Sequence, residues 1–242
     1  MRCCYNKVFG KYDLNVELKE EGIEISITGK GKKKSYYRKA GEEEVEKIIY
    51  AEEGNVVICP VEPVNLPNEG TSQHLLIELE KPIIIEPRIE DVFYVKFPVE
   101  VGVFLIDKKD VERIDIFTIT KPKYILYGPP ESGIICKWWG SDAFSEAPEV
   151  KRLYEGVMKV EAKNNYSEWV EIRKMVFRAL DMKLFYNEHA FMHSYLEILK
   201  KTMGETSFNE RKPKNMKRAI DIYLAKGIKR LEKKFVMEWG FK

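Results

Sequence analysis

Two histidines, a cysteine followed by a lysine, and a proline–glycine loop are the features of this chain whose types and spacing match known chemical sites. His189 and His193 stand four residues apart, with Glu197 four further on. On a helix the three would share a face, and two imidazoles with a carboxylate can hold a divalent metal. Residues 182–186 followed by Asn187-Glu188 read instead as a strand running into a hairpin turn. On a strand, each four-residue step spans roughly 13 Å, so His189 and Glu197 would lie too far apart for one ion. His189 and His193 are therefore weak metal candidates, His74 lies far off in sequence, and no metal or cofactor is expected.

Cys136 precedes Lys137, and a neighbouring cation can lower a thiol pKa. A cysteine enzyme also needs a base, and no histidine is placed beside Cys136 by the sequence. A free cysteine in an apolar strand more often packs as a small hydrophobe. Cys3 and Cys4 are adjacent, Cys59 and Cys136 stand alone, and none of the four forms a C-x-x-C pair. Neither a disulfide framework nor a zinc site is indicated.

Gly128-Pro129-Pro130-Glu131-Ser132-Gly133 lies between two strand-like runs, 124–127 and 134–136. Two prolines stiffen this loop and two glycines permit left-handed backbone angles. It is not a phosphate cradle. Gly128 and Gly133 have the Walker spacing, but Ile134 stands where the lysine belongs, and prolines lack the N–H groups a cradle uses. A rigid loop beside aromatic side chains suits ligand or partner contact. The preferred contact residues are Tyr124, Tyr127, Glu131, Ser132, Lys137 and Trp138.

The elements that must position these residues are mostly strands. Ile23, Ile25 and Ile27 alternate with polar residues, Gly29-Lys30-Gly31 turns the chain, and Ser35-Tyr36-Tyr37 begins a return strand. Apolar runs follow at 55–59, 75–79, 83–85, 92–95, 101–105 and 114–119, with prolines at 60, 63 and 67 marking a loop between the first two. Met158, Val160 and Ala162 alternate in a further strand, and 168–176 reads as its hairpin partner across Asn164-Asn165. No ten-residue helix separates the strands, which favours a β-sandwich or barrel over an α/β sheet.

The last part changes character. From Met216 to Phe235, apolar residues recur at three- and four-residue intervals behind Pro213, the pattern of one face of an amphipathic α-helix. Residues 211–242 carry eleven Lys and Arg against three Asp and Glu, a net of +8; the whole chain carries +2, so residues 1–210 carry −6. Such a helix docks on the acidic body, in the same chain or across a homo-oligomer. The alternative is contact with nucleic acid or an anionic membrane surface through Lys217, Arg218, Lys229, Arg230 and Lys233.

Charged residues make up 33% and apolar residues 44%, a globular rather than a disordered composition. No run approaches the roughly eighteen apolar residues of a membrane-spanning helix. The first residues lack the apolar core of a secretory signal, which points to the cytoplasm.

Two segments carry a resemblance. Pro98-Val99-Glu100-Val101-Gly102-Val103 and Lys123-Tyr124-Ile125-Leu126-Tyr127-Gly128-Pro129-Pro130-Glu131-Ser132-Gly133-Ile134-Ile135-Cys136 are similar to an archaeal protein family of unknown function. The resemblance implies a β-rich fold and no activity.

The expected architecture is mainly β: one or two β-sandwich-like units, at 1–86 and 87–205, with a basic amphipathic helix over 206–242. The boundary at 82–87 is soft because strands from both sides can share one sheet. The expected function is a non-enzymatic binding or interaction module. The alternative is an enzyme acting on a small molecule or nucleic acid, with Glu131, Cys136 and Lys137 as participants.

Overall fold

A computed structural model describes residues 8–20, 22–66, 71–107, 110–222 and 234–241. Four sheets account for nearly all of its regular structure. The simplest is a meander of β2 (Val16–Glu20), β3 (Ile23–Thr28), β4 (Lys33–Ala40) and β5 (Glu43–Tyr50). The alternation seen in the sequence sets its register: Ile23, Ile25 and Ile27 pair with Ala40, Arg38 and Tyr36, and all six are buried. A buried arginine on that face requires a counter-charge, because an unpaired buried charge costs several kcal/mol.

The counter-charge comes from a second antiparallel sheet, ordered β1 (Gly10–Asp13), β6 (Asn55–Val61), β9 (Glu100–Asp107) and β10 (Asp110–Phe117). Asp115 on β10 accepts hydrogen bonds from Arg38 Nε at 3.0 Å and from Tyr36 Oη at 2.8 Å. The Arg38 guanidinium also lies 5.1 Å from the centre of the Phe117 ring. These contacts hold the meander face to face against the second sheet.

The third sheet is ordered β11 (Lys123–Tyr127), β12 (Ile134–Ser141), β7 (His74–Ile85) and β14 (Val170–Arg178), with β12 and β7 parallel. The fourth holds β18 (Lys217–Arg218), β15 (Phe185–Tyr186), β16 (Ala190–Lys200), β13 (Glu155–Asn164) and β8 (Glu90–Pro98), with β13 and β16 parallel. Off its edge, β17 (Met203–Phe208) pairs β16 and β19 (Phe235–Met237) pairs β17. The Ser141 hydroxyl accepts from the Lys96 N–H at 2.9 Å, the Thr206 hydroxyl donates to Val176 O at 2.6 Å, and the Phe177 and Phe208 rings lie 5.5 Å apart. Sheets three and four thus pack as a second sandwich, and strands from both sides of residue 86 share sheets one sandwich at a time.

The segment 98–103 is the crossing point. β8 and β9 are separated only by Val99, yet β8 lies in the fourth sheet and β9 in the second. Gly102 is needed there: a Cβ would collide with the Phe104 ring and lie 2.7 Å from Val61 Cγ1. Glu100, 0% exposed, pairs with Lys137 of β12, 2% exposed, at 2.6 Å. Glu100 also accepts the backbone N–H groups of Asn65 and Leu66. One ion pair therefore joins the two sandwiches and fixes the loop between them.

Two expectations are corrected. The amphipathic helix over 206–242 is not formed by the described residues: Met203–Phe208, Lys217–Arg218 and Phe235–Met237 are strands in the fourth sheet. Tertiary pairing overrides the apolar periodicity, since each piece completes a ladder on a strand already present. The remainder of that pattern, 223–233, lies outside the described residues, as do Lys229, Arg230 and Lys233. A short 3-10 turn, Ala179–Asp181, follows β14. Second, β13 and β14 are not hairpin partners. The Asn164 side chain donates to Ile85 O and Glu168 O, and the chain leaves the fourth sheet for the third.

Candidate functional site

The loop 128–133 closes the β11–β12 hairpin at the edge of the third sheet. Pro129 O accepts from Gly133 N at 2.7 Å and from Ser132 N at 3.3 Å, which tightens the turn. Both glycines are required. Gly128 has φ +97°, and a Cβ on Gly133 would sit 2.7 Å from Pro129 O and 2.8 Å from Tyr127 O. Glu131 is exposed near the tip, where Ser132 and its neighbours project into solvent.

Alternation along the hairpin sends the expected residues in opposite directions. Tyr124 pairs with Lys137 on one face, and Ile125 with Cys136 on the other. Lys137 is consumed by Glu100. Tyr124 is half-buried, its hydroxyl donating to Leu66 O at 2.6 Å. Cys136 is buried, and burial pushes its thiol up to about 12. Glu131, Cys136 and Lys137 do not converge on a common point.

The face carrying Tyr127 and Trp138 has more to offer. The Tyr127 hydroxyl donates to Trp239 O at 2.8 Å and accepts from Trp239 N at 3.0 Å, and the two rings meet edge to face at 5.5 Å. This pins the C-terminal segment, which the next strand also grips. β14 bulges between Ile172 and Lys174, and the freed N–H groups of Arg173 and Lys174 donate to Gly240 O at 2.8 and 3.3 Å. Phe241 bridges Ile172. Gly240, at φ +107°, allows the approach, because a Cβ would lie 2.8 Å from Lys174 O.

Between the 128–133 turn and this segment opens a cleft of about 460 Å³. Its walls are apolar, from Leu76, Leu126, Pro129, Trp239 and Phe241, and among the described residues its charged lining residues are Arg173 and Lys174. Trp239 is 45% exposed there. Lys174 Nζ lies 3.2 Å from Glu78, which also accepts from Trp138 Nε1 at 2.7 Å. Burial pushes the Glu78 carboxyl up, but the Trp138 and Lys174 hydrogen bonds outweigh it and hold it below the usual range. Lys123 sits over the Trp138 ring at 5.1 Å. Arg173 engages Glu171 through Nε.

The histidines belong elsewhere. His193 Nε2 lies 2.9 Å from Glu161, which also pairs with Lys159, and its ring is 5.3 Å from that of Tyr195. Burial lowers the pKa of both His189 and His193. Among the described residues no group of three or more His, Cys, Asp or Glu is placed to hold a metal. Lys217 and Arg218 are exposed on β18.

Of the cleft's lining the sequence reading named Tyr127 and the turn at 128–129, and it did not name Arg173, Lys174 or Trp239. Two adjacent cations inside the apolar strand 168–176 were the available signal for a bulge. Nothing in Trp239-Gly240-Phe241 announces that it folds back onto a hairpin more than a hundred residues earlier.

The family model described as "Protein of unknown function (DUF432)" matches residues 8–238, and so spans both segments of the resemblance. No curated protein and no solved structure matches the chain. No helix among the described residues is long and apolar enough to cross a membrane.

Proposed function

We propose that this chain, which belongs to the DUF432 family of proteins of unknown function, is a binding module that takes an organic anion in the Trp239 cleft. The observation that carries this reading is the cleft's composition: apolar walls with two cations, whose carboxylate partners Glu78 and Glu171 lie outside the lining, and no acidic lining residue among the described residues. A volume of about 460 Å³ is in the range of small-molecule sites, which combine an apolar lining with a few placed polar groups. The ligand is an aromatic or apolar body laid against Trp239, Leu126 and Phe241, with an acidic head group towards Arg173 and Lys174. Binding rather than catalysis is favoured because Cys136 is buried as a thiol, Lys137 is paired, and neither lines the cleft. The two free buried cysteines, Cys59 and Cys136, support a cytoplasmic setting.

The test is a thermal-shift screen of aromatic carboxylates, fatty acids and nucleoside monophosphates. A ligand present at about 100 times its Kd adds roughly 2.7 kcal/mol of stability. The expected result is a concentration-dependent rise in Tm for one of these classes, lost in Trp239→Ala and weakened at least tenfold in Arg173→Glu. A screen without a shift at millimolar ligand, or a shift unchanged in both variants, would refute this reading.

A further inference from the structure

The two cations lining the Trp239 cleft, Arg173 and Lys174, are held in different ways. Lys174 sits on β14 directly opposite Glu78 of β7, and its ammonium lies 3.2 Å from Glu78 Oε1. The other carboxylate oxygen, Oε2, accepts from Trp138 Nε1 of β12 at 2.7 Å. Glu78 is thus oriented from both sides by the strands that flank it. Gly140 of β12 is the register partner of Glu78 and leaves room for the indole, since a Cβ there would lie 3.2 Å from Trp138 Cη2. Lys123 lies over the same ring and lines no part of the cleft.

Arg173 occupies the bulge, next to Lys174 but out of the ladder. Its Nε engages Glu171 Oε1, which takes up one edge of the guanidinium. The terminal nitrogens Nη1 and Nη2 meet no acceptor among the described residues. That end is a planar pair of donors, the geometry that takes both oxygens of a carboxylate at once. A phosphate monoester carries up to about two charges at neutral pH and calls for a second cation. Here the second cation is Lys174, and an anion that draws on it must lie close to the Glu78 carboxylate. That carboxylate repels a dianion about twice as strongly as a monoanion.

On the reading of the Trp239 cleft as an anion site, on which this depends, we propose that Arg173 takes the ligand's head group, that Glu78 withholds Lys174 from it, and that the cleft selects a carboxylate over a phosphate. Glu78 is then a specificity-determining residue that lies outside the lining. Burial pushes its carboxyl up, but Trp138 and Lys174 hold it below the usual range, so it is ionised throughout the neutral range.

Isothermal titration calorimetry with naphthoate and naphthyl phosphate, one apolar body with two head groups, reads the selection at about pH 8, where the phosphate is a dianion. The wild type is expected to bind naphthoate more tightly. Glu78→Gln keeps an acceptor for the Trp138 indole and removes the charge. Its expected effect is a gain of about threefold for naphthoate and about tenfold, the square of that, for naphthyl phosphate. Arg173→Lys keeps the charge and loses the fork, and weakens naphthoate by about tenfold and naphthyl phosphate by less. Tighter binding of the phosphate by the wild type, or equal changes for the two ligands in Glu78→Gln, overturns the selection. The cleft reading survives that result as long as Trp239→Ala abolishes both. Where neither probe binds the wild type, the selection is overturned, and the thermal-shift screen alone decides the cleft reading.

Discussion

Replacing Lys137 by methionine isolates what the junction between the sandwiches is worth. Methionine fills a similar volume, so the main loss is the ammonium group 2.6 Å from Glu100 Oε1. Glu100 is 0% exposed and keeps only the Asn65 and Leu66 amides, at 3.0 and 3.3 Å. Breaking a buried pair by removing one partner costs about 3–5 kcal/mol, because a charge is left without compensation. For a chain of this length that corresponds to a fall in Tm on the order of 10 °C. The double variant Glu100→Gln/Lys137→Met is expected to be more stable than Lys137→Met alone. The neutral amide oxygen still accepts from one of the two amides, which reach different oxygens of Glu100, and no charge is stranded. Urea unfolding followed by far-UV circular dichroism, with the m-value unchanged, gives both numbers. A cost below about 1 kcal/mol for the single variant, or a double variant less stable than the single, would refute the view that the pair is held in a dry junction.

Two further predictions concern Tyr127 and the buried cysteines. Tyr127→Phe removes one bond donated to Trp239 O and one accepted from Trp239 N, leaving both groups without that partner. The expected loss is about 1–3 kcal/mol, together with faster exchange across 237–241; exchange confined to the 128–133 turn would show that the tyrosine does not pin the tail. Cys59 and Cys136, both buried with thiols pushed up to about 12, should resist iodoacetamide at pH 8 and react in denaturing urea. Peptide mass mapping that finds Cys136 alkylated in the folded protein would reopen the thiol as a reactive group.

The parts of the fold that the sequence made legible are those fixed by local rules. The hairpin from Ile23–Thr28 to Lys33–Ala40 follows from period-two alternation and two turn glycines, and the turn at 187–189 joins β15 to β16 as read. What was not legible depends on long-range pairing. The parallel neighbours β12–β7 and β13–β16 cannot be inferred from adjacency, because parallel strands need a crossover. Asn164-Asn165 gives a sound turn signal, but it cannot say that the chain changes sheet there. The 216–235 pattern has a helical period, yet 217–218 and 235–237 lie on the fourth sheet, where strand edges were available to pair. For the cleft, the hairpin half was readable and the tail half was not, since its contact with Tyr127 spans 112 residues.

The crossing at Val99 explains why the two recognisable segments, far apart in sequence, act on one place. Val99 and Val101 bury their side chains at the crossing, so the charge on Glu100 between them leaves a gap in the apolar packing. Glu100 from the first segment and Lys137, one residue past the second, close that gap with an ion pair. The same loop that Glu100 grips through Asn65 and Leu66 begins at Glu62, and Asn65 Nδ2 donates back to Glu62 O. The Glu100–Lys137 pair and the buried Glu62 are therefore two ends of one short loop. Lys137→Met strands the charge at the Glu100 end, so amide exchange at Asn65 and Leu66 should speed up. Trp239 lies on the opposite face of the third sheet from Lys137, so its cleft should keep its ligand affinity in that variant.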